Sequence, residues 1–243
     1  VRRDLLLIGC YAGVFAVLTA GLAAGGPLVE LDLAVQGWVD AHRPGAADTA
    51  ARMLNLLGQG APLLGASGVL ALWWGARRWR RAARWWRAAV PLAYVAAAAV
   101  LAVPSVLAIK AVTARGAPSS ELPPEQTVML PGELPAGEYA SGYPGGHVVN
   151  TVVWYGVLLV LVTGLLRAYE RPGPPRAVRL GVRTAPPAIV LATTTYLSFH
   201  WFTDGLAGLV LGLLIDRLLH LLRRSARVMA DPAELAGVRE SGP

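Results

Sequence analysis

The 243-residue chain is 55% hydrophobic and only 15% charged, with a mean hydropathy of +0.49, whereas an ordinary soluble domain carries about 25% charged residues. A soluble fold of this size would have too little polar surface to cover itself, so the composition points to a membrane-embedded protein. The single cysteine, Cys10, excludes an intramolecular disulfide framework and a multi-cysteine metal site.

Apolar segments fall at about 5 to 25, 54 to 75, 88 to 109, 148 to 166, 185 to 199 and 202 to 222, most of them near the roughly 20 residues a bilayer span requires. The pattern predicts an all-α, six-transmembrane-helix bundle. Leu7-Ile8-Gly9-Cys10 has the outline of a lipoprotein cleavage box, but six preceding residues are too few for a signal-peptide core, and the run from Arg2-Arg3 to Ala24 suits a retained helix. Glu30 to Arg43 mixes Leu31, Leu33, Val35, Trp38 and Val39 with Glu30, Asp32, Gln36 and Asp40. It reads as an interfacial amphipathic helix or as a helix packed on the bundle. The fifth segment is short and opens with Pro186-Pro187, which predicts shielding by its neighbours. Residues 1–229 are expected to form one membrane domain. Residues 230–243, which contain Pro232 and lose the apolar pattern, are expected to be a flexible cytoplasmic tail.

Arginine placement predicts the orientation. The connection 76–87 carries Arg77, Arg78, Arg80, Arg81, Arg84 and Arg87; the connection 167–183 carries Arg167, Arg171, Arg176, Arg179 and Arg183; the tail adds Arg217, Arg223, Arg224 and Arg227. With six spans these regions share one side with Arg2 and Arg3, so both termini are expected to be cytoplasmic at a bacterial plasma membrane. The connections 26–53 and 111–146 hold only Arg43, Arg52 and Arg115 beside Glu30, Asp32, Asp40, Asp48, Glu121, Glu125, Glu133 and Glu138. The net charge of +7, and Trp79, Trp85 and Trp86 among the arginines, thus read as a cytoplasmic membrane edge, with no nucleic-acid partner implied. The loop from Ala114 to Tyr143, rich in Pro, Gly and Glu, shows no period and is read as a lid or a surface connection.

Three groups of polar residues fall at the side opposite the arginines. Lys110, the only lysine, ends the third span and either snorkels to the interface or, with Arg115, holds an anion. Pro144-Gly145-Gly146-His147 precedes the fourth span, as a tight turn or as a helix N-terminus offering amides to an anion. His200 and Asp204 are four apart, so that on a helix the carboxylate can accept the Nδ1–H and leave Nε2 free to attack, or the pair can simply close a helix end.

These groups together resemble the type 2 phosphatidic acid phosphatase (PAP2) superfamily, whose pattern is Lys-x6-Arg-Pro, then Pro-Ser-Gly-His, then Ser-Arg-x5-His-x3-Asp, after the third span, before the fourth and around the start of the sixth. The resemblance matches Lys110, Gly146, His147, His200 and Asp204. It departs at Ala117, which stands at the first-motif arginine and is followed by Pro118; at Gly145, which stands for the serine; and at Thr193-Thr194, which replace Ser-Arg. Arg115 lies two residues before the vacant arginine position.

The resemblance implies His200 as nucleophile, Asp204 as its orienter and His147 as the acid for the leaving alkoxide, with Lys110, Arg115, Gly145, Gly146 and Thr194 as the remaining phosphate contacts. It implies neither metal nor cofactor. The implied function is hydrolysis of a lipid phosphate or diphosphate at the outer membrane face through a phosphohistidine. A catalytically impaired relative that binds a phospholipid or a protein partner is the second reading, because each lost donor to developing charge costs a factor of about 100 to 1,000 in rate. A small transporter is the third, weakened by the placement of the polar groups at one boundary.

Overall fold

The computed structural model describes residues 2–79, 86–135, 137 and 141–230, all helix, turn or loop. The helices are α1 (Arg2–Ala23), α2 (Pro27–Ala41), α3 (Gly45–Asn55), α4 (Gly60–Trp79), α5 (Trp86–Thr113), the single turn α6 (Pro124–Thr127), α7 (Gly146–Ala168), α8 (Arg176–Tyr196) and α9 (Phe202–Ala230). Arg80, Arg81, Arg84, Trp85, Glu138 and the predicted tail from 231 onward lie outside the described residues.

Six long helices form the bundle, namely α1, α4, α5, α7, α8 and α9. Four of them, α1, α5, α7 and α9, are by themselves long and apolar enough to cross a membrane. In α1 only 6% of the apolar window is buried, against 56% in α7. An apolar helix that hides so little of itself in protein has lipid as its solvent, and the chain is an integral membrane protein.

The core lies where α4, α5 and α9 surround α7, through Ala71, Val95, Ala98, Val153, Trp154, Leu161, Leu211 and Ile215. A second cluster at the histidine end joins Leu22 of α1 and Val29 of α2 to Val128 and Leu130 of the long loop, with Tyr143 and Trp201. The 114–143 loop is therefore packed into the fold in part: Thr127, Val128, Leu130 and Tyr143 are fully buried or nearly so.

Two helix starts differ from the sequence reading. The second apolar segment begins only at Gly60; the residues before it form α3 and a 3₁₀ turn, Leu56–Gly58, bent 44° from α4. Helix α8 starts at Arg176, ahead of the predicted 185, and Pro186 and Pro187 lie buried inside it. Its first turns carry Arg176, Arg179 and Arg183, which the sequence alone presents as part of a connection. Helix α2 packs on the bundle with Val29, Asp32, Gln36 and Val39 buried on one face, while Trp38 remains 62% exposed. That face is half polar because its polar members have partners deep in the fold.

The principal partner is Arg115. Its guanidinium is wholly buried and donates to Asp32 (2.7 Å), Asp204 (2.5 Å), the Thr203 hydroxyl (3.0 Å) and the Val128 carbonyl (2.8 Å). Removing one member of such a cluster strands the others without partners in low dielectric, at a cost of about 3 to 5 kcal/mol. Arg115→Met is expected to lower the thermal midpoint of the detergent-solubilised protein by a loss of that size. Arg183→Ala, which breaks the partly exposed 3.2 Å pair with Asp216, is expected to cost no more than about 1 kcal/mol. Thermal unfolding of both variants side by side reads the difference.

Candidate active site

The C-termini of α5 and α8 and the N-termini of α7 and α9 meet at one end of the bundle. Lys110 sits in the last turn of α5, where the helix dipole favours a cation, and its Nζ donates to the Ser141 carbonyl. The chain leaves α5 through Ala114 in the left-handed region (φ 46°) and is pinned on both sides of the following loop: Gly132 N–H donates to the Thr113 carbonyl at 2.8 Å, and Gly142 N–H to the Arg115 carbonyl at 2.8 Å.

His147 is the second residue of α7. Gly145 precedes that helix and donates its N–H to the Asp204 carbonyl at 2.8 Å. The first turns of α7 and α9 approach so closely that a Cβ at Gly208 would lie 2.4 Å from the Gly145 carbonyl oxygen. A glycine is required at that contact because any side chain would force the two helix ends apart.

His200 is presented by the turn between α8 and α9. Ser198 adopts φ 56°, a left-handed conformation that ends α8, while Phe199 N–H returns to the Thr194 carbonyl at 2.9 Å. The Ser198 hydroxyl is engaged from α2 by Gln36 Nε2 at 2.8 Å and, just beyond that helix, by Arg43 Nη2. On the other side of His200, Asp204 Oδ2 accepts the Trp201 N–H at 2.9 Å. This is the acidic half of a capping box: a carboxylate in the first turn of α9 reaches back to the residue before it. Asp32 caps a second amide of that turn, accepting the Thr203 N–H at 2.9 Å and its hydroxyl at 2.5 Å.

The resulting cavity, of about 380 Å³, is lined by Lys110, Ala117, Ser119, Gly146, His147, Asn150, Phe199 and His200. The His147 and His200 rings face each other edge to face, with centroids 6.0 Å apart and planes at 62°. Their separation lets both reach one small group. Burial, with the charges of Lys110 and His147 nearby, pushes the His200 imidazole down to about 3, so the ring is neutral at physiological pH and its nitrogen lone pair is available.

The structure brings together Lys110, Gly146, His147 and His200. It places Asp204 behind them, with Oδ2 3.9 Å from His200 Nδ1. That is beyond hydrogen-bond length, and Nδ1 has no partner among the described residues. Arg115 is not at the cavity, because its donors are consumed by Asp32, Asp204, Thr203 and Val128. Thr194 is fully buried and turns its hydroxyl to the Val190 carbonyl at 2.8 Å. The Gly145 amide is taken by Asp204. Four lining residues have no counterpart among the predicted contacts: Ala117, Ser119, Asn150 and Phe199. Of these, Asn150 carries a local signal, standing one helical turn after His147; its Nδ2 donates to the Gly58 carbonyl at 3.1 Å.

The PAP2 superfamily model matches residues 88–227, more than half of the chain, and the chain belongs to the PAP2 superfamily. Among solved structures it is similar to one described as the first transmembrane PAP2 type phosphatidylglycerolphosphate phosphatase from Bacillus subtilis. The TM-score is 0.64 at 19% identity, over 90% of this chain and 96% of that one. No curated protein matches.

The depressed His200 couples acid to stability. In the unfolded chain an imidazole takes up a proton near pH 6.5, whereas the folded ring resists protonation until about 3. The unfolded state therefore binds more protons between these values, and the stabilisation present above about 6.5 is lost as pH falls toward 3. The thermal midpoint is expected to drop between pH 7 and pH 4. In His200→Gln, which cannot titrate, part of that slope is expected to disappear; melts across this range on both proteins measure it.

Proposed function

We propose that this protein is an integral membrane phosphatase that hydrolyses a lipid phosphate by way of a phosphohistidine. The observation that carries the reading is the pair of histidines, 6.0 Å apart across a cavity that also holds the Lys110 ammonium. His200, neutral and next to a helix N-terminus, is the nucleophile. His147, on the first turn of α7, protonates the departing alkoxide. Lys110 and the start of α7 at Gly146 bind the phosphoryl oxygens, where an ammonium and helix amides stabilise growing negative charge. Asp204 orients His200 through the backbone that it caps.

The bundle suits a substrate whose acyl or polyprenyl tail stays in the bilayer while its headgroup enters at the boundary. With arginines gathered at the opposite end, the cavity faces the outer side of the membrane and both termini are cytoplasmic. The 3.9 Å gap between His200 and Asp204, with Arg115 held away from the cavity, is what favours the second reading, a relative that binds lipid phosphate without turning it over.

The test is mass-spectrometric detection of lipid products from purified protein incubated with lipid phosphates of several headgroup types. His200→Ala is expected to remove turnover to background, and His147→Ala to slow it by about 100- to 10,000-fold. Turnover that survives His200→Ala removes the nucleophile. Turnover absent from the wild type, with lipid phosphate still bound, selects the binding protein.

A further inference from the structure

The charges at the histidine end carry an inference about which phosphates the cavity accepts. The two connections there and the cavity itself contain four lysine and arginine side chains, Arg43, Arg52, Lys110 and Arg115. The three arginines each have partners outside the cavity. Arg115 lies between Asp32 and Asp204, Arg52 pairs with Asp48 at 2.6 Å, and Arg43 engages Ser198 and, at 3.4 Å, Asp40. Only Lys110 lines the cavity.

The buried cluster behind His200, one guanidinium with two carboxylates, carries a formal charge of −1, which offsets the one ammonium in front. Around them the same connections hold Glu30, Asp40, Asp48, Glu121, Glu125, Glu133 and Glu138 in sequence, a field that opposes the approach of a dianion more than that of a monoanion. The lining itself is divided. Lys110, Ser119, Gly146 and Asn150 offer polar contacts, whereas Ala117 and Phe199 present hydrocarbon. A phosphate monoester near neutral pH carries close to two charges over three terminal oxygens. On the Ala117 and Phe199 side of this cavity a charged oxygen meets hydrocarbon and no donor, a costly arrangement. A phosphate diester carries one charge over two terminal oxygens and places a carbon-bearing ester oxygen where the third would be.

We infer that the substrate is a lipid phosphate diester, recognised by a cavity with one cation and an apolar wall. The inference rests on the phosphoryl-transfer reading above and narrows its substrate. In the reaction, His200 Nε2 bonds to phosphorus, the P–O bond to one alcohol breaks, and the departing oxygen takes a proton from protonated His147. Water then adds to phosphorus with His147 accepting its proton, the N–P bond breaks, and a phosphate monoester leaves. That product carries an additional charge, so the cavity that admits the diester favours release of the monoester.

The test compares phosphatidylglycerol with phosphatidic acid of the same acyl chains, in the same detergent near pH 8, on the purified full chain. For the wild type kcat/KM is expected to be at least about tenfold higher for the diester, since a single unmatched charge at a reacting phosphate is worth that much or more. Ala117→Arg, which places a guanidinium on the apolar wall, is expected to narrow or invert the ratio. The wild-type comparison stands alone if that variant does not fold. His200-dependent turnover of the monoester at an equal or higher rate overturns the diester inference and leaves the phosphatase intact. Absence of His200-dependent turnover on both lipids overturns both.

Discussion

The ion cluster at Arg115 is the constraint on which the histidine end depends. A guanidinium removed from water is tolerable only when its donors are matched, and here every nitrogen has an acceptor: Nε the Val128 carbonyl, Nη1 Thr203 and Asp204, Nη2 Asp32. Those acceptors come from α2, from the loop after α5 and from the first turn of α9. Three segments that already meet in the apolar cluster of Val29, Val128, Leu130 and Ala207 are thereby also fixed to one another by charge, and α9 is tied to the start of α7 through the Gly145–Asp204 contact. The same two carboxylates complete the N-terminus of α9, so a charge cluster and a helix cap are one structure.

This explains a division of labour among the cations. An arginine placed between two aspartates has its electrostatic capacity spent on the scaffold, and none is left for a bound anion. Lys110 is under no such obligation. Its ammonium sits on a flexible stem at the end of α5 with a neutral carbonyl as its contact, an interaction far weaker than an ion pair in a dry setting and readily exchanged for a phosphoryl oxygen. The shape of the cavity is thus maintained by groups that do not line it, and the proposed chemistry falls to the small set that does.

The parts of the fold legible in the sequence are those governed by unbroken hydrophobicity. Helices α1, α5, α7 and α9 appear as apolar runs because lipid imposes a continuous requirement over about 20 residues. Helix α8 was legible only in its second half, since Arg176, Arg179 and Arg183 read as a connection when nothing shows Asp216 waiting for Arg183 on α9. The bend before α4 was hidden because Leu54 and Leu56 continue the apolar pattern across it. At the site, His147, His200 and Lys110 stood out by residue type and spacing. The location of Arg115 did not, because it is decided by Asp32 and Asp204, which are 83 and 89 residues distant in sequence, and local pattern contains no information about such a pairing. Asp32 was read as one polar residue of an amphipathic helix for the same reason.

Asp204 shows how a residue of expected type can act by an unexpected route. A carboxylate four residues after a histidine suggests a hydrogen bond to the ring, yet one oxygen is held by Arg115 at 2.5 Å and the other by the Trp201 amide at 2.9 Å. Both contacts are stronger than anything available across 3.9 Å to His200 Nδ1. What Asp204 fixes is the peptide that follows His200, just as Ser198, gripped by Gln36 and Arg43, fixes the turn that precedes it. The imidazole is consequently positioned by its backbone at both sides, with its Nδ1 turned toward the carboxylate at 3.9 Å. In the phosphoryl transfer proposed above, charge developing on that ring would draw the two together, so the ring–carboxylate bond would strengthen along the reaction, which is where an interaction accelerates it.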